Sequence, residues 1–341
     1  MNKLKEKRKD SVFSRLFKPR TQSVLGIDIG SRAVKLVELS RRDGVYEVCS
    51  YGAEPLPPHA VVDKRIEDED AVGEAVERAV TRCGAQTRDA VAAVPGSAVI
   101  AKVLTVPSAP NDADMVGQIQ LEAANRIPFP IEELHFDFEV LGVSGKAPDR
   151  VDVLLVASRN ENVDVRAAVL ERAGLRPKAV DVEPYALEHA FTLLESGVPD
   201  GGAGKTVAMV DIGATATLLT VLHDRKTVYA REQPFDGEPA AETTDQGQAR
   251  TPVSESRMNA IRQRIDRALH YFFSTTGYAH VDHLILAGEQ ASTPGIGAFI
   301  QEKTAIPATV ADPFGALAMD APIPPAPAMT IASGLALRGF L

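Results

Sequence analysis

The sequence predicts an α/β fold built from two related lobes. The tripeptide Asp-Ile-Gly occurs twice, 183 residues apart, and residues 24–39 and 207–222 are identical at seven of sixteen positions. Each copy is an apolar, β-rich run that reaches an aspartate, turns at a glycine and returns as a second apolar run, which is typical of a β-hairpin. Because the spacing is far longer than a solenoid or propeller repeat, the two copies indicate duplicated halves.

The elements that follow each hairpin support this organisation. In the first half, residues 45–51 predict a third strand, and apolar residues recur at a helical period within 68–83. In the second half, residues 258–273 show the same helical period and residues 281–287 predict a buried strand. A chain of 341 residues is long enough for two such units, since single cores stop growing near this size.

The composition favours a cytoplasmic protein. No apolar run approaches the roughly 20 residues needed to span a bilayer, and the N-terminus lacks the apolar core of a signal peptide. Cys49 and Cys83 are the only cysteines, which fits a reducing compartment and provides no cluster of metal ligands.

Charge is distributed unevenly along the chain. Residues 1–20 carry eight basic and two acidic side chains, a net charge of +6, so the remaining residues carry −15 to give the formal net charge of −9. A basic tail on an acidic body is typical of a tether to anionic lipid or to an acidic partner, and a disordered solubilising leader explains it equally well. The acidic body argues against nucleic-acid binding, because it would repel the phosphate backbone.

The repeated turn is suited to polyphosphate binding. Successive backbone N–H groups in a tight turn form an anion-binding concavity, and Gly30 and Gly213 let the backbone approach a ligand closely. Asp28 and Asp211 would repel a phosphate directly, so we expect a Mg²⁺ ion that keeps several waters to lie between carboxylate and phosphate. A single Asp-Gly turn is common in hairpins, and it is the duplication that favours the functional interpretation.

Five motifs in a fixed order resemble the superfamily of actin, Hsp70 and the sugar kinases. Residues 28–35 resemble its first phosphate loop, 211–215 its second, 180–187 the entry of its connecting helix, 285–295 its adenosine motif and 329–336 its final connecting helix. The resemblance implies a bilobed actin-like α/β fold, of the duplicated ribonuclease H-like type, with ATP and Mg²⁺ bound between the lobes.

The same resemblance implies roles for individual residues. Asp28 and Asp211 would hold Mg²⁺ through water, and Glu183 would orient the attacking water or the metal. The residues expected to contact the nucleotide are Asp28, Gly30, Ser31, Arg32, Lys35, Asp211, Gly213, Ala214, Thr215, Gly288 and Glu289.

Two departures from the superfamily pattern weaken the expectation of tight ATP binding. The position after Gly288 is usually a second glycine, whereas this chain has Glu289, whose carboxylate would repel phosphate unless it turns away or meets a cation. Residues 236–257 replace a helical subdomain that closes over the adenine in relatives, and Val253 is their only large apolar side chain, so they cannot form a packed unit. We therefore expect a reduced or missing second-lobe helical subdomain and at most a weak ATPase.

Within the superfamily, the chain is most similar to the PilM family of type IV pilus assembly proteins. The segments that carry this resemblance are residues 31–39, 92–100, 127–130, 151–158 and 271–274. The resemblance extends from about residue 23 to residue 341. It implies a cytoplasmic scaffold of the pilus assembly platform, peripheral to the inner membrane.

The family also implies partners. A groove between the first lobe and an inserted subdomain is expected to bind the short cytoplasmic N-terminal peptide of the membrane protein PilN. The body is expected to contact pilus motor ATPases, other platform proteins and the membrane surface. Ordinary helix and turn packing would explain the candidate groove residues equally well. They are Gln118, Leu121, Glu122, Ile127, Pro128 and Phe129.

The expected domain boundaries follow from the hairpins and from the family. They are a basic tail over residues 1–22, a first lobe over 23–85 and 148–200, an inserted subdomain similar to that of FtsA over 86–147, and a second lobe over 201–341 with a flexible linker at 236–257.

The competing functional class is an active ATPase or a small-molecule kinase of the same superfamily. Such a kinase needs a polar substrate cleft and a general base at the lobe junction, and the sequence offers no convincing residue for that base. We therefore expect nucleotide, where it binds, to act as a conformational ligand that favours one arrangement of the lobes.

Overall fold

The fold is described from a computed structural model of the chain, over residues 23–42, 44–109, 111–145, 147–235, 255–317 and 326–340. The predicted basic tail over residues 1–22 lies outside these described residues. So does most of the predicted linker at 236–257, and with it the expectation of a reduced or missing second-lobe helical subdomain.

The described residues alternate between strands and helices. The first half contains β1 (Leu25–Ile29), β2 (Ala33–Arg42), β3 (Val45–Pro55), β4 (Val61–Val62), β5 (Arg65–Ile66), α1 (Glu69–Cys83), β6 (Asp89–Val94), β7 (Val99–Pro107), α2 (Asp112–Ala124), β8 (Leu134–Ser144), β9 (Ala147–Arg159), α3 (Asn160–Arg172), β10 (Arg176–Val182) and α4 (Glu183–Leu194). The second half contains β11 (Thr206–Ile212), β12 (Ala216–His223), β13 (Lys226–Pro234), α5 (Glu255–Thr275), β14 (His283–Ala287), α6 (Ile296–Thr304), β15 (Ala308–Val310) and α7 (Thr330–Leu337).

Each lobe is built on a five-stranded sheet, and the two sheets have the same topology. Their strand orders are β3-β2-β1-β6-β10 and β13-β12-β11-β14-β15. In both sheets the first three strands are antiparallel, and the other two run parallel to the central strand. Parallel neighbours need a crossover, which α1 and α3 provide in the first lobe and α5 and α6 in the second. The repeat in the sequence is therefore a repeat of a whole lobe.

Helices cover the faces of both sheets. α1 and α3 pack on one face of the first sheet, α5 and α6 pack on one face of the second, and α4 and α7 fill the space between the two sheets. This middle layer depends on close backbone contact. A Cβ atom at Gly334 would lie 1.8 Å from the carbonyl oxygen of Ala186, and one at Gly26 would lie 2.0 Å from that of Ala332. Glycine is therefore required at both positions.

A third unit with its own core is inserted in the first lobe. β7, β9 and β8 form an antiparallel sheet in that order, and α2 packs on one face of it. β6, which falls within the expected range of 86–147, is hydrogen-bonded into the first-lobe sheet, whereas β9, of which all but the first residue falls outside that range, belongs to the inserted sheet. Strand pairing thus places the inserted unit between Val99 and Arg159. The difference arises because pairing between distant segments leaves no local signal in the sequence.

Candidate functional site

The two repeated turns face each other across the boundary between the lobes. In each turn the glycine N–H, of Gly30 or of Gly213, donates to the alanine carbonyl oxygen three residues later at 3.0 Å. The hydroxyl oxygens of Ser31 and Thr215 are 2.9 Å apart, within hydrogen-bond distance. The first hairpins of both lobes therefore converge at one point.

The convergent turns border a cavity of about 30 Å³. Nine of the eleven residues expected to contact a nucleotide line it, namely Asp28, Gly30, Ser31, Lys35, Asp211, Gly213, Ala214, Thr215 and Glu289. Arg32 and Gly288 are not in this lining. Gly288 follows β14 at a point where a Cβ atom would be 2.6 Å from the backbone of Ile212, so glycine lets this turn pack directly against β11.

Lys35 joins the first turn to the second lobe. Its Nζ lies 3.2 Å from Asp28 Oδ2 and 3.2 Å from Glu289 Oε1. Burial by itself lowers the pKa of this ammonium group, but the negative charges of Asp28, Glu289 and Asp211 outweigh burial and raise the pKa. Glu289 therefore meets a cation, which is one of the two ways in which its carboxylate can be accommodated beside the turns.

A second lysine, Lys64, is partly buried beside Glu183. It is at the tip of the β4–β5 hairpin, where Asp63 and Lys64 have φ values of 48° and 64°. Its Nζ is 2.9 and 3.0 Å from the two carboxylate oxygens of Glu183 and 3.8 Å from Glu232 on β13. Burial lowers the pKa of Lys64, but Glu183 and Glu232 outweigh burial and raise it. Lys64 therefore stays charged and forms a bidentate ion pair with Glu183.

The hairpin that carries Lys64 is fixed by a buried arginine. The guanidinium of Arg166, on α3, donates to the carbonyl oxygens of Lys64 and Ala93 at 3.0 and 2.7 Å. Sequence reasoning missed Lys64 because Asp-Lys is a weak turn signal compared with Asn-Gly, and because the hydrogen bond to Glu183 spans 119 residues. The apolar residues that flank the turn are the only signal that could have indicated the hairpin.

Carboxyl groups outnumber ammonium groups around the cavity, within the described part of the chain. Lys35 and Lys64 face the carboxyl groups of Asp28, Asp211, Glu183, Glu232 and Glu289. Burial raises the pKa of Asp211 to about 7, and Asp28 adds to this shift while Lys64 opposes it. Asp28, Asp211 and Glu289 are the carboxyl residues that line the cavity itself, so a divalent cation could be accommodated there.

The predicted Mg²⁺ ligands fit an ion that is shared with a ligand. Among the described residues, no group of three or more His, Cys, Asp or Glu side chains is arranged to hold a metal ion. Mg²⁺ usually keeps several waters and binds through one or two carboxylates together with substrate phosphates. Asp28 and Asp211 could supply those two carboxylates, because both line the cavity between the turns.

A larger cavity of about 140 Å³ lies in the second lobe, between the ends of β12 and β13 and helix α5. Two buried polar atoms of its lining, Thr217 Oγ1 and Gln233 Nε2, have no hydrogen-bond partner among the described residues. The guanidinium of Arg264 lies 3.5 Å from the centroid of the Phe235 ring in the same lining. Since a cavity of roughly 150 Å³ admits one aromatic ring, this cavity has room for a small planar group.

Gln290 connects this second-lobe cavity with the phosphate turn. Its Nε2 donates to the carbonyl oxygen of Gly213 at 2.7 Å, and its Oε1 accepts a hydrogen bond from Arg264 Nη1 at 3.1 Å. Thr215, just before β12, lines the smaller cavity, and Thr217, the second residue of β12, lines the larger one. The two cavities are therefore neighbours.

The six residues expected to bind a partner lie on α2 and in the turn after it. Ile127 belongs to the core of the inserted unit, where it is 6% exposed. Leu121 is 71% exposed, on the solvent side of α2. The other exposed or partly exposed members are Gln118, Glu122, Pro128 and Phe129.

The boundary between the inserted unit and the first lobe is on the other face of the inserted sheet. Leu155 packs in the core under α2, whereas Val156 packs with Val182 and Tyr185 of the first lobe. Because neighbouring residues of a strand point to opposite faces, α2 covers the face that is turned away from the first lobe. The six candidate residues therefore lie away from this boundary.

The boundary itself combines apolar, phenolic and acidic groups. Burial raises the pKa of Tyr185 to about 12, and the carboxylates of Glu188, Asp181 and Glu139 add to the shift. Glu139 belongs to β8, so its charge acts on Tyr185 from the inserted unit. Asp181 and Glu188 already pair with Arg338 and Lys226, so Glu139 is the exposed carboxylate of the three.

Within the described residues, no helix combines the length and the apolar character needed to cross a bilayer.

Comparison with known proteins identifies the family. The family model for the type IV pilus assembly protein PilM matches residues 26–248 and 246–340.

Two solved structures have a similar fold. One is a PilM–PilN type IV pilus biogenesis complex, whose matching chain is 22% identical with a TM-score of 0.72, over 94% of this chain and 100% of that chain. The other is the ethanolamine utilization protein EutJ from Carboxydothermus hydrogenoformans, 17% identical with a TM-score of 0.53, over 94% of this chain and 91% of that chain. The predicted bilobed actin-like α/β fold is thereby confirmed, and the chain belongs to the PilM family of type IV pilus assembly proteins.

Proposed function

We propose that this chain is a nucleotide-responsive scaffold of the type IV pilus assembly platform. Mg-ATP binds between the two repeated turns, and the boundary between the inserted unit and the first lobe binds the cytoplasmic N-terminal peptide of PilN. One observation carries the nucleotide part, namely the 2.9 Å contact between Ser31 and Thr215. It brings two amide turns and two aspartates from separate lobes to one point, which suits a polyphosphate.

The charges around the cavity support a nucleotide that carries a metal ion. Free polyphosphate would meet an excess of carboxylates, whereas Mg²⁺ held through water by Asp28 and Asp211 would neutralise part of that charge. Lys35, Ser31 and the amides after Gly30 and Gly213 are then the groups available to the phosphates.

The second-lobe cavity is a suitable place for the base of the nucleotide. It adjoins the second phosphate turn through Gln290, and two of its polar atoms, Thr217 Oγ1 and Gln233 Nε2, lack partners among the described residues. Arg264 lies in the same wall and could stack on an aromatic ring, as it does on Phe235.

The surroundings of Glu183 favour binding over hydrolysis. A residue that deprotonates an attacking water must take up a proton, and the Lys64 ammonium, which donates to both oxygens of Glu183, opposes proton uptake by this carboxylate. This argues against the alternative of an active ATPase or a small-molecule kinase that uses Glu183. Nucleotide is instead a conformational ligand. It shifts the equilibrium between two lobe arrangements by as much as its affinities for them differ.

The partner part rests on the family and on the boundary surface. The similar PilM–PilN complex contains PilN, and Val156, Tyr185 and Glu139 supply apolar, phenolic and acidic groups at the boundary of this chain. Binding of PilN would bring the scaffold to the inner membrane, where motor ATPases and other platform proteins are further partners.

The nucleotide part is tested by thermal unfolding with Mg-ATP. A ligand at about 100 times its dissociation constant stabilises the folded state by roughly 2.7 kcal/mol, so the wild type should unfold at a clearly higher temperature. Asp28→Asn should abolish the shift, and Glu171→Gln, at an exposed position of α3, should retain it. A wild type that does not respond, or an Asp28→Asn variant that responds fully, contradicts this part.

The partner part is tested by titrating a labelled PilN N-terminal peptide with and without Mg-ATP. Tyr185→Ala and Glu139→Lys should weaken binding, because they alter the boundary, whereas Leu121→Ser on the far side of α2 should leave it unchanged. Loss of binding in Leu121→Ser alone would move the site to α2. A wild type that binds no peptide under either condition contradicts the scaffold function.

A further inference from the structure

The two lysines of the cleft, Lys35 and Lys64, have the same kind of ion-pair environment. Lys35 and Lys64 both belong to the first lobe, and each ammonium group lies between one carboxylate of its own lobe and one of the second lobe. Lys35 lies 3.2 Å from Asp28 and 3.2 Å from Glu289, and Lys64 lies 2.9 Å from Glu183 and 3.8 Å from Glu232. Two ion-pair bridges therefore cross the boundary between the lobes.

The Lys64–Glu232 bridge is shielded from solvent and screened little by salt, whereas Glu289 of the other bridge has a side chain that is 33% exposed. The side chains of Lys35 and Lys64 are 10% and 17% exposed, and that of Glu232 is 6% exposed. Glu232 Oε1 is buried with no hydrogen-bond partner among the described residues, so the Lys64 ammonium is the nearby positive charge that compensates it. Separation of the lobes would leave such a carboxylate without its cation, which favours the closed arrangement.

The same two ammonium groups line the cavity between the turns. An ammonium group that is held by two carboxylates has little left to offer a phosphate, and the cavity of about 30 Å³ is far smaller than the roughly 300 Å³ or more of ordinary ligand pockets. A polyphosphate can enter only when the turns move apart and the second-lobe carboxylates leave the lysines. Polyphosphate binding and the two bridges therefore compete for the same ammonium groups.

We propose that the Lys35–Glu289 and Lys64–Glu232 pairs are an autoinhibitory latch, which closes the lobes and which a metal-bound polyphosphate must displace. This inference rests on the nucleotide part of the proposed function and adds its regulation. Glu289 and Glu232 are the competing groups, because they occupy the ammonium groups from the second lobe. The apparent affinity for nucleotide is proportional to the fraction of molecules in which the latch is open. Any contact that pulls the lobes apart increases that fraction and therefore raises the affinity by the same factor.

The test removes the competing charges while keeping the shapes of the side chains. Glu289→Gln, Glu232→Gln and the double variant are compared with the wild type and with Glu77→Gln, at an exposed position of α1. Two quantities are measured in each protein: the dissociation constant for Mg-ATP, and the hydrogen exchange of the amides in the two turns without nucleotide. If nine in ten wild-type molecules are latched, the double variant should bind Mg-ATP about tenfold more tightly.

The expected result is faster exchange of the turn amides in the double variant together with tighter Mg-ATP binding, and no change in Glu77→Gln. Faster exchange without Mg-ATP binding by any of the proteins would support the latch as a closing contact and contradict the nucleotide function. Hydrogen exchange that is unchanged in the double variant would overturn the latch. If the wild type binds Mg-ATP, weaker or unchanged binding by the double variant would overturn it too. In those two cases, binding by the wild type would leave the proposed function intact.

Discussion

Ser31 and Thr215 belong to turns that repeat at an interval of 183 residues, and their hydroxyl oxygens are 2.9 Å apart. Each turn occupies the same place in its lobe, between the first two strands of a sheet with the same topology. The contact therefore joins equivalent parts of two duplicated lobes. A ligand that enters here touches both lobes, so its binding is necessarily coupled to their relative arrangement.

This contact should contribute measurably to stability. Replacing either partner, by Ser31→Ala or Thr215→Val, should lower the free energy of unfolding by about 1 kcal/mol, the usual net value of a hydrogen bond. The double variant should cost less than the sum of the two single changes, since both remove the same bond. Urea denaturation of the four proteins measures the coupling. If the losses of unfolding free energy in the two single variants add up to that of the double variant, the two turns do not interact in solution.

The turns were predictable from the sequence because their signals are local. A strand, an aspartate and a glycine lie within a few residues, and the second copy of the same pattern removes the ambiguity of the first. Helix α1 is equally local, since Val72, Val76 and Ala79 on its period are all buried. Such features follow from neighbouring residues alone.

The parts of the site that were not predicted depend on contacts between distant residues. Lys64 acquires its role only when Glu183 and Glu232 reach it from α4 and β13. The limits of the inserted unit and the face that it turns to the first lobe depend on the pairing of β9 with β7 and β8. The spacing of Met115, Ile119 and Ala123 indicates which side of α2 is buried, but it carries no information about what covers the opposite face of the sheet.

Removal of the Lys64 ammonium group should be strongly destabilising. Lys64→Met leaves Glu183, whose side chain is 4% exposed, without its cation, and breaking a buried ion pair in this way costs about 3–5 kcal/mol. Lys226→Met is the matched control, because Lys226 also pairs with a glutamate, Glu188, but is 82% exposed; its loss should cost less than about 1 kcal/mol. Denaturant titration measures both.

A second variant tests the cause of this loss. In Lys64→Met combined with Glu183→Gln the uncompensated charge is gone, so a large part of the lost stability should return. If the double variant is as unstable as Lys64→Met, packing of the lysine stem rather than its charge accounts for the effect.

The pKa of Asp211 predicts a specific dependence of stability on pH. The carboxyl group has a pKa of about 7 in the folded state against an ordinary value of 3.8, so the folded state binds its proton more tightly. The resulting stabilisation is complete below pH 3.8 and is lost as the pH rises through about 7. Asp211→Asn has no such proton. The unfolding free energy of the wild type minus that of Asp211→Asn should therefore fall as the pH rises from 3.8 to about 7 and be level above it.

The unfolding free energy of Asp211→Asn must be subtracted from that of the wild type, because the other carboxylates of the protein titrate in the same pH range. Urea denaturation at closely spaced pH values gives the difference directly. A difference that increases with pH would mean that Asp211 is ionised in the folded protein at neutral pH, and that Lys35 and Lys64 outweigh its burial.

The contact between α4 and α7 should tolerate no side chain at Gly334. A Cβ atom there would lie 1.8 Å from the carbonyl oxygen of Ala186, a backbone atom that cannot turn aside, so Gly334→Ala must push the two helices apart. Overpacking of this kind costs about 1–3 kcal/mol. Because α4 and α7 form the layer between the two sheets, the displacement would also alter how the lobes meet. Gly334→Ala should therefore lower both the unfolding temperature and the response to Mg-ATP.

Gly117→Ala is the matched control for this change. Gly117 lies inside helix α2, and a Cβ atom there would meet no atom within 4 Å. Without a steric penalty, the alanine stabilises the helix by roughly 0.5–1 kcal/mol through the lower conformational entropy of the unfolded chain. The two substitutions are chemically identical and should have effects of opposite sign. If Gly334→Ala is as stable as Gly117→Ala, the close backbone contact between α4 and α7 does not exist in solution.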